Sequence, residues 1–325
     1  MSAVGLAEIP VEAYQRPSRI NLAGEVVSIA HALPDAIASR LQKICEKKPR
    51  FANMTTPTVA LPGVGSPGWM LDPLVQELKG VGLDAFTWGD KINFGPTRWV
   101  YPWMEKFLGE VHAQSGHQIN GVGHSLGGLY HLYWMRHHPE WYKLVASIAS
   151  PCELTLEEAH TLTNIGAAFT IMDRAKFLYH YEAMEHWERE RDLDPIGIPR
   201  VSIIATRDGV VPSESCELPA QEQCWNYYID DTHTGVVVNP LTHDLIGHIL
   251  NKGPEAKIPL HIARQLRSRD DIVEFEKKTH EPIDVLHGVG NVVSLAAARA
   301  ARSASNVPVI SGIGHVPALV TGLVR

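Results

Sequence analysis

A serine between glycines, in the stretch QINGVGHSLGGL at residues 118–129, is the first candidate for chemistry. The sequence GHSLG at 123–127 has the Gly-x-Ser-x-Gly spacing that presents a serine hydroxyl on a sharp turn between a strand and a helix. A nucleophilic serine also needs a base within hydrogen-bond reach and an acid that orients this base. Ser125 is therefore a candidate nucleophile if the chain supplies both partners.

The glycine-rich stretch has two other interpretations, a structural turn and a phosphate-binding loop. The phosphate loop is excluded because no Gly-Lys-Ser or Gly-Lys-Thr sequence follows the glycines. The context favours catalysis over a structural turn. An apolar run precedes Ser125, a helical pattern follows it, and an aspartate and a histidine come later in the chain.

Asp208 is the candidate acid. It follows the apolar run RVSIIATR and precedes Gly209, so it is predicted to lie at the carboxyl end of a strand. The alternative is a solvated Asp-Gly turn. Asp90, Asp192 and Asp194 are weaker candidates, because Asp90 precedes the serine and the other two lie in a charged helical stretch between strands.

Two of the 17 histidines compete for the role of the base. His233 comes shortly after the strand-like run WNYYIDD and precedes a predicted helix. His315, in SGIGHVPAL, lies in a segment that echoes an earlier strand–helix–strand pattern but has a glycine opposite Asp208. We therefore prefer His233, and the pair Asp208–His315 stays open. His243 and His248 lie within the predicted helix and are interpreted as structural.

Short apolar runs alternate with helical patterns along most of the chain. This alternation predicts an α/β fold with a mainly parallel central sheet flanked by helices. In such a sheet the working groups lie at the carboxyl ends of the strands. Strands are predicted at 56–63, 83–89, 118–125, 143–151, 200–208 and 225–231. Helices are predicted at 69–82, 97–116, 126–141 and 237–250.

The chain is predicted to have three parts. Residues 1–55 form an N-terminal helical segment that packs on the core, with an amphipathic helix at 20–33, and residues 56–252 form the core itself. Residues 253–325 form a C-terminal extension that could be a degenerate strand–helix–strand echo. A helical insertion in the core, at 152–199, lies where a lid would be placed.

Five segments carry a resemblance to one known superfamily. They are VALPGVGSPGWMLDPL, TWGDKINFGPT, INGVGHSLGGLY, ATRDGVVPSESC and DDTHTGVVVNP. The sequence resembles the α/β-hydrolase superfamily over roughly residues 56–250, apart from the insertion. Within it the chain is similar to bacterial esterases and lipases that have Leu-Pro-Gly in place of the lipase His-Gly motif. The resemblance implies an α/β-hydrolase fold and cleavage of carboxylic esters through an acyl-enzyme on Ser125, with Asp208 and His233 as its partners.

An acyl-transfer site also needs N–H donors for the oxyanion of the tetrahedral intermediate. The backbone N–H of Leu126 is one predicted oxyanion-hole donor, and that of Val64 in the loop LPGVGSPG is the other. The loop could instead be a tight turn with no donor role. Two alternatives for the whole protein stay open: an acyltransferase that uses the same acyl-enzyme, and a non-catalytic binding protein of this fold.

The insertion suggests the class of ester. It is rich in apolar side chains, namely Phe169, Ile171, Met172, Phe177, Leu178, Tyr179 and Tyr181. A lid over an acyl-binding pocket would use such side chains to exclude water, which predicts apolar acyl or aryl esters as substrates. The alternative is that most of them pack on the core.

Charge and composition limit the partners and the location. The formal net charge of −7 argues against a nucleic-acid partner, which would need a basic surface. The expected partner is a small-molecule or lipid ester. The sequence shows neither a signal peptide nor a stretch that would cross a bilayer, so we expect a cytoplasmic location without stable membrane insertion.

Neither a cofactor nor a structural metal is expected. No zinc-ligand spacing stands out among the histidines and cysteines. The four cysteines are too few for a disulfide scaffold. Cys216 and Cys224 could close a short loop or remain free thiols.

Overall fold

A central sheet of seven strands organises the computed structural model, which describes Glu25 and residues 51–93, 95, 100–153 and 197–268. The strands are β1 (Pro57–Leu61), β2 (Asp84–Thr87), β3 (Ile119–His124), β4 (Tyr142–Ile148), β5 (Arg200–Ala205), β6 (Cys224–Ile229) and β7 (Leu266–Arg267). Their order across the sheet is β2-β1-β3-β4-β5-β6-β7. Strands β1 to β6 pair in parallel, and β7 adds an antiparallel edge to β6.

Helices connect the strands. They are α1 (Asp72–Gly80), α2 (Val100–Ser115), α3 (Leu126–His137), α4 (Gly235–Val238), α5 (Pro240–Lys252) and α6 (Leu260–Ala263). Short 3-10 helices lie at Phe51–Asn53, Gly68–Leu71, Pro139–Trp141 and Ser213–Cys216. Each strand and helix predicted between residues 56 and 250, apart from the insertion, has a counterpart, although the helix predicted at 237–250 is divided at Asn239 into α4 and α5. The expected α/β fold with a mainly parallel sheet is confirmed.

Local chemistry explains where α5 begins. Pro240 occupies its first turn, where a missing N–H removes no helical hydrogen bond. The side chain of Asn239 caps the helix by accepting a hydrogen bond from the N–H of Leu241 at 2.9 Å.

Helix α3 ends earlier than the predicted residue 141. The helix stops at His137, and His138 adopts φ −135° and ψ 64°. The reason is Pro139, because a proline ring disfavours helical backbone in the residue before it.

Two apolar layers enclose the sheet, one on each face. On one face, α1 and α5 pack against the strands through Leu74, Val75, Leu78, Leu245, Ile246 and Ile249. On the other, α2 and α3 pack through Met104, Leu108, Val111, Leu132 and Met135. Strands β1, β3 and β5 are buried along their whole lengths, as expected for parallel strands with helices on both sides. This packing fixes the carboxyl ends of the strands, from which the candidate site is built.

Several sequence predictions fall outside the described residues and stay predictions. They concern the N-terminal segment apart from Glu25 and 51–55, the insertion at 154–196, and the extension from 269 to 325. Asp192, Asp194, the seven apolar lid residues and His315 all lie in these ranges. All described residues belong to one unit, Met1–Glu281. Within the described ranges, no helix is long and apolar enough to cross a membrane.

Candidate active site

Ser125 lies at the turn between β3 and α3 and has a strained backbone. Its φ is 52° and its ψ is −123°, a conformation that side-chain-bearing residues seldom adopt. Its own N–H donates to the carbonyl of Ile148 at 2.8 Å, and its carbonyl accepts from the N–H of Gly128 at 3.0 Å. Such strain persists only where surrounding contacts hold it, and it is typical of functional sites. The predicted nucleophile therefore stands on the predicted sharp turn.

The flanking glycines are required by close backbone approach. A Cβ on Gly123 would overlap the backbone of Gly127 and Gly128. A Cβ on Gly127 would lie 2.6 Å from the carbonyl carbon of Leu61, at the end of β1. Because such contacts fall well below van der Waals distance, the Gly-x-Ser-x-Gly spacing here is a steric requirement of the turn.

His233 and Asp208 form a buried pair. The Nδ1 of His233 is 2.7 Å from the Oδ2 of Asp208, and the two side chains are 6% and 0% exposed. The other oxygen, Oδ1, accepts the N–H groups of Val210 at 2.8 Å and Val211 at 2.9 Å. The carboxylate is thus held by its own loop. With Nδ1–H donating to Asp208, Nε2 of His233 is left as the nitrogen that can accept a proton.

The surroundings of His233 favour its charged form. Burial by itself lowers the pKa of His233. The charge and hydrogen bond of Asp208, together with the charge of Glu25, outweigh burial and raise the pKa above its usual value of 6.5. An imidazolium formed at His233 is therefore stabilised, which a general base needs during the reaction.

His124, the residue before the serine, joins the turn to the histidine loop. Its Nε2–H donates to the backbone carbonyl of His233 at 3.0 Å, and the two rings lie 4.9 Å apart between centroids. Burial, reinforced by the positive charge of His233, lowers the pKa of His124 to about 3, so its ring is neutral at physiological pH. No sequence pattern indicated this contact, because His124 occupies a variable position of the motif.

The loop after β1 approaches the serine. An ideal Cβ on Gly63 would lie 3.0 Å from the Cβ of Ser125 and 3.1 Å from the Nδ1 of His124. Val64 follows in the same loop and is half-buried, and Leu126 follows the serine as the first residue of α3. The two predicted oxyanion donors therefore belong to the two segments that meet at Ser125.

Asn93 braces this loop. Its side-chain Nδ2 donates to the carbonyl of Pro62 at 2.7 Å. Its backbone carbonyl accepts the N–H of Gly65 at 2.7 Å, and its N–H donates to the carbonyl of Ser66 at 3.0 Å. Its Oδ1 accepts the hydroxyl of Tyr130 in α3 at 3.2 Å. Asn93 is fully buried and connects the loop after β1 to the helix that follows the serine, and sequence spacing gave no signal for it.

Other candidates lie elsewhere. Asp90 is exposed after β2. His243 and His248 lie in α5, as predicted, and the Nε2 of His243 is 2.9 Å from the carbonyl of Val237, a contact of a structural kind. Cys216 and Cys224 are free thiols and do not form the disulfide that their spacing allowed. Burial raises the pKa of Cys152 to about 12, which disfavours the thiolate form that a cysteine nucleophile needs.

Ser125, Asp208 and His233 follow three parallel strands of the sheet, β3, β5 and β6, in that chain order. A serine turn between strand and helix, followed by the acid and then the histidine, is the arrangement of the α/β-hydrolase fold. The predicted α/β-hydrolase fold is therefore confirmed. Within the described ranges, no group of three or more metal-ligating side chains is found.

No protein-family model and no curated protein matches the sequence. Among solved structures, lipase B of Aspergillus fumigatus is 15% identical over 61% of this chain and 52% of its own, with a TM-score of 0.46. A mature lipase of Bacillus licheniformis is 15% identical over 61% of this chain and 92% of its own, with a TM-score of 0.44. The monoacylglycerol lipase of Paleococcus ferrophilus is 16% identical over 61% of this chain and 96% of its own, with a TM-score of 0.43.

This chain thus spans 52% of the length of the Aspergillus lipase. Similarity at 15% or 16% identity says nothing about the substrate. The chemistry has to be inferred from the geometry of this chain's own site.

Proposed function

We propose that this protein is a serine hydrolase of carboxylic esters that works through an acyl-enzyme on Ser125. The observation that carries the proposal is the buried 2.7 Å contact between His233 and Asp208. The backbone carbonyl of His233 is in turn hydrogen-bonded to His124, which precedes the strained Ser125. Burying the carboxylate of Asp208 costs desolvation energy, which the N–H groups of Val210 and Val211 and the contact with His233 offset. Because the loop of His233 is hydrogen-bonded to the residue before Ser125, the pair is suited to removing the serine hydroxyl proton.

The proposed reaction has two halves. In the first, the Oγ of Ser125 attacks the ester carbonyl while its proton passes to the Nε2 of His233. The imidazolium then protonates the leaving alcohol as the bond between the carbonyl carbon and the alkoxy oxygen breaks. In the second half, water attacks the acyl-enzyme and gives its proton to His233. The carboxylic acid product is released as the oxygen of Ser125 recovers that proton from His233.

Asp208 and the oxyanion donors have separate roles in this scheme. Asp208 holds the imidazole in one tautomer and stabilises its charged form, without itself taking the proton. The backbone N–H groups of Leu126 and Val64 are the proposed oxyanion donors. Support for this assignment comes from the close approach of Gly63 to Ser125 and from the bracing of the loop by Asn93.

The proposed substrate is a small-molecule or lipid ester. An apolar acyl or aryl group would follow if the insertion acts as a lid, which rests on residues 154–196 outside the described ranges. Hydrolysis rates for p-nitrophenyl esters of increasing acyl length would test this, before and after deletion of the insertion. An unchanged chain-length preference after the deletion would contradict a lid.

Covalent labelling tests the nucleophile. A fluorophosphonate probe is expected to label the wild-type protein and to leave Ser125→Ala unlabelled, because only an activated serine reacts with it. Ser202→Ala is the matched control, since Ser202 is another buried serine whose hydroxyl donates to the carbonyl of Cys216. It should label like wild type. Absence of labelling in the wild type would end the serine-hydrolase proposal. Product analysis with a competing alcohol separates hydrolysis from acyl transfer.

A further inference from the structure

Glu25 is a buried acid whose contacts reach both loops of the candidate pair. It is helical and only 3% exposed. Its Oε1 accepts the N–H of Gly209 at 2.9 Å and that of His233 at 2.6 Å. Its Oε2 accepts the N–H of Thr234 at 2.8 Å. One carboxylate therefore joins the residue after Asp208 to the backbone of His233.

These contacts explain how an acid can be buried here. A buried carboxylate is costly unless hydrogen bonds replace its water, and three N–H donors do so. The donors depend on the carboxylate in turn, because a buried N–H without an acceptor is also unfavourable. Both oxygens accept in all three of these contacts, as an ionised carboxylate does.

We propose that Glu25 is a positioning residue for the candidate active site. It holds His233 against Asp208 and places a second negative charge beside the imidazolium. The inference rests on the proposed ester hydrolysis for its catalytic meaning. Glu25 does not touch the serine or the substrate in this scheme. It acts through the two loops that carry the acid and the base.

The charged and titratable groups around His233 come from three elements besides its own loop. Asp208 follows β5, His124 ends β3, and Glu25 belongs to the N-terminal segment. The carboxylate of Asp231, on the histidine's own loop, accepts hydrogen bonds from the N–H of Thr232 and from the side chain of Asn239. His124 is neutral, so the negative charges of Asp208 and Glu25 govern the histidine.

Two variants separate the effect of the negative charge of Glu25 from the effect of its side-chain length. Glu25→Gln keeps the shape but removes the charge and turns one acceptor into a donor that faces a backbone N–H. Glu25→Asp keeps the charge but is one methylene shorter. The titration of the His233 ring is followed by NMR, and kcat and KM are measured across pH with a p-nitrophenyl ester.

Glu25→Gln is expected to lower the pKa of His233 and to move the acid limb of kcat/KM to lower pH. It should also lower kcat at neutral pH by about tenfold, the factor that corresponds to one weakened hydrogen bond to a charged group. KM should change little. Glu25→Asp is expected to leave the pKa near the wild-type value while kcat falls, because the shorter side chain cannot reach all three donors.

Asp84→Asn is the matched control. The Oδ2 of Asp84 accepts the N–H groups of Thr55 at 2.8 Å and Thr56 at 3.2 Å, so it makes the same kind of contact between distant segments. It lies at the amino end of the edge strand β2, whereas the candidate site lies at the carboxyl ends of the strands. This variant should lose stability without any change in the titration of His233 or in kcat.

The inference is overturned if Glu25→Gln has the wild-type pKa at His233 and the wild-type acid limb, whatever its stability. If Glu25→Gln does not fold, Glu25→Asp with wild-type kcat overturns it instead. The NMR titration needs no turnover. Wild-type protein that neither hydrolyses esters nor reacts with a fluorophosphonate would therefore refute the hydrolase, while the titration would still report on Glu25.

Discussion

Asp208 uses its two carboxylate oxygens for different purposes. Oδ1 is held by the N–H groups of Val210 and Val211, and Oδ2 faces the Nδ1 of His233 at 2.7 Å. The first set of contacts fixes the carboxylate independently of His233, so the pair needs little reorganisation when the base becomes charged. Chain position alone predicted Asp208 as the acid, but it could not show this division of work.

The pH dependence of the wild-type protein follows from the raised pKa of His233. The base must be neutral to accept the serine proton, so kcat/KM should rise with pH through a pKa above 6.5. Asp208→Asn removes the largest influence that raises this pKa. It should move the acid limb to lower pH and reduce kcat by about 10⁴-fold, the typical effect when a histidine loses its orienting carboxylate.

Asp230→Asn is the control for Asp208→Asn. Asp230 is an exposed acid near the end of β6, and its Oδ1 is paired with the Nε of Arg207 at 2.6 Å. Exposed ion pairs of this kind contribute little to the free energy of unfolding. A wild-type acid limb in Asp208→Asn, or an equal loss of kcat in Asp230→Asn, would contradict the assigned role of Asp208.

At the scale of elements, the site depends on loops that strands and helices hold in place. The loop after β1 is braced by Asn93, which also receives the hydroxyl of Tyr130 from α3. The serine turn depends on glycines because β1 and α3 approach it closely. The sequence predicted the strands, helices and turn from local patterns. Asn93 escaped prediction, because its partners lie 31 and 37 residues away.

Asn93→Ala tests the loop. The change leaves the carbonyl of Pro62 and the hydroxyl of Tyr130 without this partner, so the protein should lose about 1–3 kcal/mol of unfolding free energy. If the loop also carries an oxyanion donor, kcat should fall by about tenfold or more while KM changes less. Thermal unfolding and steady-state kinetics measure the two effects.

Asn226→Ala is the comparison for Asn93→Ala. Asn226 clamps Leu218 through two hydrogen bonds of 2.9 Å, a similar amide brace on β6. It should lose stability and keep its kcat. Equal kcat losses in the two variants would show that Asn93 acts only through stability.

At the scale of the whole molecule, the carboxyl ends of the parallel strands bring together residues that are far apart in the chain. Ser125, Asp208 and His233 follow three parallel strands whose carboxyl ends point the same way. The start of the C-terminal extension contributes α6 and β7, and β7 pairs with β6 through Tyr228 and Ile229. The predicted extension therefore begins as part of the same sheet.

The role of the extension in catalysis is decided by comparing two histidine variants. His233→Ala should reduce kcat by at least about 10³-fold, because the hydroxyl of Ser125 loses its base. His315→Ala should keep wild-type activity, since Asp208 is already paired with His233. An inactive His315→Ala together with an active His233→Ala would assign the base to the extension.

Local sequence was enough to predict the alternating strands and helices, the turn at Ser125 and the acid at the end of β5. Each of these follows from patterns within about a dozen neighbouring residues, such as apolar periodicity and glycine spacing. The sequence already favoured His233 over His315 as the partner of Asp208. The 2.7 Å contact between the two side chains, the bond from His124 to the histidine loop, and the contacts of Asn93 and Glu25 appear only in the folded chain. Glu25 meets Gly209 across 184 residues, and no local pattern encodes a contact that packing alone brings together.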